Sequence, residues 1–106
     1  MNASGLLAAA ALWGVAASTS PTTASAADAA YGEYLSSECS TCHRRDGKDK
    51  GIPSIVGWPP EQFVAVLKSY KTKDRSNQIM QTITGRLSDE DMAALAAYYA
   101  TLKPTP

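Results

Sequence analysis

The sequence predicts an all-α fold built from three main helices. No segment of the 106-residue chain keeps the alternation of apolar and polar residues that a half-buried strand requires. Three segments instead carry apolar residues at helical spacing, or the residues that begin and end helices. No internal repeat is visible, and after residue 27 no linker divides the chain. One folded domain, residues 28–106, is therefore expected.

The first predicted helix runs from about Asp28 to Thr41. Asp28 can cap its first turn, because a carboxylate accepts hydrogen bonds from the free N–H groups at that end. Tyr31 and Leu35 are four residues apart, so their side chains share one face of the helix. Cys39 lies near its C-terminal end.

The second predicted helix begins at Pro59-Pro60, because proline suits the first helical turn. An apolar stripe at helical spacing follows, consisting of Phe63, Val66, Leu67 and Tyr70. Three lysines lie off this stripe and are expected in solvent: Lys68, Lys71 and Lys73.

The third predicted helix begins at Ser88, a good N-cap residue. Ser88 and Asp91 approximate a capping box, with Asp in place of the usual Glu. Acidic residues 89–91 oppose the positive end of the helix dipole. Pro104 ends the helix. The expected buried stripe consists of Met92, Leu95, Ala96, Tyr99 and Leu102.

Two segments between these helices lack helical spacing. Arg44 to Trp58 is rich in glycine and charge, which is typical of a loop. Asp74 to Thr84 is predicted to be a second irregular stretch, and it contains Met80.

The first 27 residues are typical of a signal peptide. Leu6 to Ala17 is an apolar run of 12 residues, too short to span a bilayer comfortably. Ala24-Ser25-Ala26 matches the A-x-A cleavage pattern, so we expect export to the periplasm and a mature domain of about 80 residues. Met1 to Gly5 lacks the usual positive charge. A truncated or misplaced start, or retention as a short anchor, would explain this lack. The alternative to a signal peptide is a low-complexity disordered tail.

Charge and length narrow the possible functions. All ten acidic and all ten basic residues lie beyond residue 27, and the formal net charge is zero. This balance argues against general nucleic-acid binding. A domain of about 80 residues is small for a self-sufficient core, so a cofactor, metal or disulfide is expected to stabilise it.

Cys39-Ser40-Thr41-Cys42-His43 reads C-x-x-C-H, the attachment signature of c-type haem. Cys39 and Cys42 lie on one side of a helical turn, so both thiols can bond to the two vinyl groups of one porphyrin. His43 is then held beneath the ring centre, where its imidazole can take one axial position on iron. The chain has no other cysteine or histidine. One covalent haem c is therefore predicted.

The same cysteine pair could form a redox dithiol or half of a zinc site. A zinc site needs further Cys or His ligands, and the sequence has none. A thioredoxin-like dithiol is expected near a βαβ pattern, which the sequence lacks. Both alternatives are therefore disfavoured.

Thioether sulfur is a soft ligand that can fill the second axial position on haem iron. The methionines after the motif are Met80 and Met92. Met92 lies on the apolar stripe of the last predicted helix, so it is interpreted as core. Met80 lies between two predicted helices, where a loop can bring it over the ring, and it is the predicted ligand. The alternative is that Met80 fills a gap in the core.

With these motifs the chain resembles the class I cytochromes c, in their small bacterial single-haem form. Similar segments cover nearly all of the presumed mature chain and include Gly51 to Gly57, Arg75 to Met80 and Leu87 to Tyr99. The resemblance implies the cytochrome c fold, in which three main helices and their loops wrap around one covalently attached haem.

The resemblance also implies particular contacts. The Pro53 carbonyl would accept a hydrogen bond from the His43 ring and orient it, as outer contacts of metal ligands do. The first and last helices would cross. Across that contact the facing residues would be Gly32 and Leu35 on one side and Leu95 and Tyr98 or Tyr99 on the other.

The function that the resemblance implies is electron transfer by a haem with His43 and Met80 as axial ligands, cycling between Fe(III) and Fe(II). The chain would not be an enzyme itself. Within the family it looks most like the cytochrome subunit of flavocytochrome c sulfide dehydrogenase and single domains of di-haem carriers. A permanent haem subunit of such a periplasmic oxidoreductase is therefore the first alternative. A haem enzyme with an open distal site is the second, and the lack of a second histidine counts against it.

The segment from Arg44 to Arg75 holds eight basic and four acidic residues. One interpretation is an ordinary solvated surface. The other is that the basic residues steer an acidic redox protein, such as a flavoprotein or a terminal oxidase, to the haem edge. Arg75 and Trp58 could also hydrogen-bond a haem propionate, and Trp58 could equally pack against the ring.

Overall fold

The computed structural model describes residues 26–105, together with residue 5 and residues 10–16. These residues form five helices and no strand, so the predicted all-α class is confirmed. The helices are α1 (Ala26–Leu35), α2 (Ser37–Ser40), α3 (Pro60–Lys71), α4 (Gln78–Gly85) and α5 (Asp89–Thr101).

The first predicted helix is interrupted at Ser36, so α1 and α2 replace one continuous helix. The backbone N–H of Ser36 is shared between the carbonyls of Gly32 and Glu33, at 2.9 and 3.2 Å. The Ser36 hydroxyl also donates to the Glu33 carbonyl, at 2.6 Å. Such side-chain bonds compete with the regular helical pattern. The expectation of an unbroken helix to Thr41 is therefore wrong.

Helices α1 and α5 cross at Gly32. A Cβ atom at Gly32 would lie 2.6 Å from the carbonyl carbon of Ala94 and 2.8 Å from the Cβ of Tyr98. Only glycine lets the two backbones come this close. Leu35 packs against the core cluster that contains Leu95. The expected crossing is confirmed, with Ala94 as an additional neighbour.

The core forms where α5 meets α1 and α3. Phe63 of α3 stacks on Tyr99 of α5, with ring centroids 5.4 Å apart. Helix α5 is buried over most of its circumference, beyond the single stripe that its spacing predicts. Its buried residues are Met92, Ala94, Leu95, Ala96, Ala97, Tyr98 and Tyr99.

The capping box of α5 is present as predicted. The Ser88 hydroxyl accepts a hydrogen bond from the Asp91 N–H at 3.1 Å, and the Asp91 carboxylate accepts one from the Ser88 N–H at 3.0 Å. The helix ends at Thr101, shortly before Pro104. Aspartate therefore replaces the usual glutamate without loss of either hydrogen bond.

Helix α4 corrects the prediction that Asp74 to Thr84 is irregular. The Asn77 side chain accepts a hydrogen bond from the backbone N–H of Met80 at 3.0 Å and so begins a helix. Met80 is the third residue of this helix rather than part of a loop. The sequence signal for this helix was the asparagine at its N-cap, and the helix that follows has only eight residues.

The N-terminal predictions fall mostly outside the described part of the chain. Residues 10–16, within the predicted apolar run, have no regular structure and are exposed. Residues 1–4, 6–9 and 17–25, with most of the predicted cleavage pattern, lie outside the described residues. Within the part that is described, no helix is long and apolar enough to cross a membrane.

Candidate functional site

A cavity of about 570 Å³ opens between α2, the loop that follows it, α3 and α4. Its volume is within the range of ligand sites, roughly 300–1,000 Å³. All five residues that the sequence singles out as haem-binding line it: Cys39, Cys42, His43, Pro53 and Met80. Apolar side chains of α3 and α4 form much of the remaining wall, including Phe63, Val66, Leu67 and Ile83.

The two cysteines are one helical turn apart. The N–H groups of Cys42 and His43 both bond to the Cys39 carbonyl, at 3.2 and 2.8 Å, so the turn continues from α2 into the histidine. Both thiols are free, with Cys39 half-buried and Cys42 exposed. Burial raises the pKa of the Cys39 thiol, which keeps it protonated at neutral pH.

His43 is oriented by the loop on the other side of the motif. Its Nδ1 lies 2.7 Å from the carbonyl oxygen of Pro53. A carbonyl can only accept, so Nδ1 carries the proton and donates it. The lone pair on Nε2 is then free for a metal ion. The contact that the resemblance implies between these two residues is therefore present.

The loop that carries Pro53 is held by its own polar groups. Arg44 pairs with Asp46, and the Asp46 carboxylate also accepts the Lys48 N–H at 2.9 Å. These interactions hold the pKa of Asp46 well below its usual value. At the end of the loop, Gly57 has a φ of 74°, and its N–H donates to the Tyr99 carbonyl at 2.9 Å. The loop is thus attached to α5.

Met80 reaches the cavity from the first turn of α4. Its carbonyl accepts the Thr84 hydroxyl at 2.8 Å, and Thr84 is fully buried. Gln81 fixes the segment that precedes α4, because its side-chain amide donates a hydrogen bond to the Arg75 carbonyl at 2.9 Å. Met92, by contrast, is fully buried in the core and does not line the cavity. The interpretation of Met92 as core is confirmed.

Comparison with known proteins decides the family. The family model described as "Cytochrome C oxidase, cbb3-type, subunit III" matches residues 25–98. Cytochrome c-554(548) of Halomonas halodenitrificans is 33% identical, over 72% of this chain and 98% of that protein. The chain belongs to the class I c-type cytochromes.

Two further relatives carry functional names. The "Cytochrome subunit of sulfide dehydrogenase" of Chlorobaculum tepidum is 33% identical over 67% of this cytochrome and 66% of that protein. The "Thiosulfate dehydrogenase electron acceptor" of Stutzerimonas stutzeri is 38% identical over 64% of this cytochrome. This cytochrome aligns with only 32% of the latter protein.

Membership of the family establishes covalently bound haem c as the cofactor and electron transfer, rather than catalysis of a substrate reaction, as the function. The residues present fit that cofactor. This cytochrome combines an apolar cavity with two free thiols one turn apart and an imidazole that has an available nitrogen. In the described part of the chain, no group of three His, Cys, Asp or Glu residues could hold a separate metal ion.

The structure adds contacts that sequence reasoning missed. Arg86, just after α4, pairs with Glu38 of α2 at 3.4 Å, joining the helix that carries Met80 to the cysteine motif. Arg45 lies over the Tyr98 ring, 6.0 Å from its centroid. Neither pair has a local sequence signal, because the partners are 48 and 53 residues apart along the chain.

The basic residues have mixed surroundings. Arg75 and Trp58 line the cavity. Trp58 also packs edge to face on Phe63, with centroids 6.3 Å apart. Lys71 donates to the Leu87 carbonyl, and Lys68 lies 4.0 Å from Asp89. Part of the basic segment therefore supports the fold.

Proposed function

We propose that this cytochrome carries electrons through a six-coordinate haem c held by five residues. Cys39 and Cys42 form the thioether bonds, His43 and Met80 are the axial ligands, and Pro53 orients the histidine. One observation carries this proposal. Thiols, imidazole and thioether line one cavity, and the imidazole is already held by the Pro53 carbonyl at 2.7 Å.

When bound, haem c supplies a one-electron iron couple inside the cavity. The chain holds the two axial donors on different elements: His43 in the turn after α2, and Met80 in the first turn of α4. Two hydrogen bonds hold the backbone of Met80: its N–H donates to the Asn77 side chain, and its carbonyl accepts the Thr84 hydroxyl. Because these two axial ligands are held in place in both oxidation states, the rearrangement of the iron site on electron transfer is small. A thioether axial ligand also raises the potential.

The exposed part of the site supports a proposal for where electrons enter and leave. Cys42 and Pro53 are exposed at the mouth of the cavity, whereas Phe63 and Leu67 form its buried wall. We propose that a redox protein docks over this mouth. The nearby basic residues would orient an acidic partner, such as a flavoprotein or a terminal oxidase, through a small and short-lived interface.

We also propose export. The apolar run from Leu6 to Ala17 and the Ala24-Ser25-Ala26 pattern support cleavage of a signal peptide and a periplasmic domain of residues 28–106. The proposed boundary falls within the first turn of α1, which begins at Ala26. N-terminal sequencing of the protein purified from its native host tests this proposal.

Replacement of the proposed ligand tests the site. We expect Met80→Ala to keep the covalent haem but to lose the Met-to-iron charge-transfer band of the oxidised protein, and to lower the midpoint potential. The measurement is an optical spectrum combined with redox titration. Met92→Leu is the matched control, because Met92 is buried in the core away from the cavity.

Two results would reject the ligand assignment. One is a Met80→Ala protein whose oxidised spectrum is unchanged. The other is loss of the charge-transfer band in Met92→Leu alone. A high-spin spectrum in the unmodified protein would instead favour a haem enzyme with an open distal site.

The second candidate function is that of a permanent electron-transfer subunit. It is favoured by the name of one relative, the cytochrome subunit of a sulfide dehydrogenase. Purification from the native host distinguishes the two. A chain that elutes alone as a small monomer is a mobile carrier, and a chain that co-elutes with a catalytic protein is a subunit.

A further inference from the structure

The Tyr99 side chain has an unusual environment for a polar group. It is fully buried in α5. Within the described residues, its hydroxyl is the buried side-chain polar atom that lacks a hydrogen-bond partner. An unpaired hydroxyl in the core is unfavourable, because the oxygen loses its bonds to water without replacement. A buried hydroxyl of this kind is expected to gain a hydrogen-bond partner in the haem-loaded protein.

The position of Tyr99 is tightly constrained. Its ring stacks on Phe63, with centroids 5.4 Å apart, and meets Tyr98 edge to face at 5.2 Å. Its backbone carbonyl accepts the Gly57 N–H at 2.9 Å. The hydroxyl therefore cannot swing out to water without disrupting the core.

The partner that this hydroxyl can gain is the thiol of Cys39. Cys39 packs against the core cluster that contains Tyr99. Its thiol contributes to the raised pKa of Tyr99, so the two groups lie close to each other, although the hydroxyl has no hydrogen-bond partner within the described residues. Burial raises the pKa values of both, so both are neutral at physiological pH. Cys39 lines the cavity and Tyr99 does not, so the tyrosine meets the sulfur from the core side.

Haem attachment changes what the Cys39 sulfur can do. The thiol adds across a vinyl double bond, so that one sulfur–carbon bond forms and the thiol hydrogen moves to the other vinyl carbon. No oxidant or reductant is consumed. The resulting thioether keeps its lone pairs but has no proton, so it can only accept. Tyr99 is then left as the donor.

We propose that Tyr99 is a positioning residue, whose hydroxyl donates a hydrogen bond to the Cys39 sulfur in the haem-loaded protein. The inference rests on the proposed function, in which Cys39 is an attachment site. The bond restrains the Cys39 side chain and draws electron density from its sulfur. Hydrogen bonds around a metal centre tune its potential, and donation in this direction favours the reduced state.

Tyr99→Phe in the haem-loaded full chain tests the proposal, with Tyr98→Phe as the matched control. Both tyrosines are buried on α5, and each substitution removes one oxygen. We expect Tyr99→Phe to lower the midpoint potential and to unfold at lower denaturant concentration than the parent. We expect Tyr98→Phe to leave the potential unchanged.

A potential equal to that of the parent overturns the proposal even if stability falls, because a hydroxyl bonded elsewhere in the core would also stabilise. Equal shifts in both variants overturn it too, as does a Tyr99→Phe protein that is more stable than its parent. Peptide mass spectrometry separates haem attachment at Cys39 from the role of Tyr99. Absence of haem on Cys39 removes the proposed site itself, whereas an unchanged potential with haem on Cys39 removes only the role of Tyr99.

Discussion

At the scale of single residues, Asp91 shows how one side chain serves two levels of structure. One carboxylate oxygen accepts the Ser88 N–H at 3.0 Å and begins α5. The other accepts the hydroxyl of Tyr31 at 2.8 Å, from a residue 60 positions earlier in α1. These hydrogen bonds stabilise the charged form, so the pKa of Asp91 lies below its usual value.

The lowered pKa predicts a pH dependence of stability. The contribution of Asp91 is fully present above the pKa of the unfolded chain, about 3.9. It is lost as the pH falls through the lower pKa of the folded protein. We therefore expect wild type to be more stable than Asp91→Asn at neutral pH, and the difference to shrink in acid. Denaturant unfolding of both proteins from about pH 6 to pH 2 measures it. A difference that does not change with pH would contradict this account.

At the scale of elements, α4 depends on Asn77 more than on helix propensity. The helix has only eight residues, and short helices are marginal without support from caps and packing. The Asn77 side chain bonds the backbone N–H of Met80 itself. The cap therefore holds in place both the helix and the proposed iron ligand.

We expect Asn77→Ala to cost about 1 kcal/mol of unfolding free energy, the usual effect of losing an N-cap. The proposed Met80 ligand should also be displaced more easily by added imidazole. Spectral titration and denaturant unfolding measure the two effects. Asn77→Ser is the control, since serine also caps well, and it should behave like the parent. Equal behaviour of the alanine and serine variants would rule out the cap.

The elements also show why sequence reasoning succeeded in some places and failed in others. The capping box at Ser88 and the proline at the start of α3 act within one turn, so local sequence predicted both. The break at Ser36 and the helix at Asn77 were missed. At Ser36 the local side-chain bond competes with the helix, whereas at Asn77 such a bond begins one, and the surrounding packing decides the outcome. Ser36 is fully buried, and its hydroxyl also accepts a hydrogen bond from Arg45 at 3.2 Å.

At the scale of the whole molecule, the core and the cavity share their walls. Phe63 and Leu67 belong to the core cluster and also line the cavity of about 570 Å³. A domain of about 80 residues buries only a small hydrophobic core. A cofactor that fills this space therefore acts as part of the core.

Removal of both attachment residues tests this dependence. We expect Cys39→Ser combined with Cys42→Ser to abolish covalent haem and to leave the domain largely unfolded. Circular dichroism and thermal unfolding measure the loss of helix. Cys42→Ser alone is the control: Cys42 is exposed, so its own contribution to packing is small. A colourless double variant with full helix content would show that the core is complete without haem.

The sequence by itself determined the chemistry and the local structure: the C-x-x-C-H motif, the two candidate methionines, the start of α3 and both ends of α5. Only the tertiary structure decided which residues meet. It brings the Pro53 carbonyl to His43, Met80 to the same cavity as the cysteines, and Cys39 against the core cluster that contains Tyr99. The physical reason is range. Caps and helical spacing act over a few residues, whereas these contacts join distant segments through packing of the whole domain.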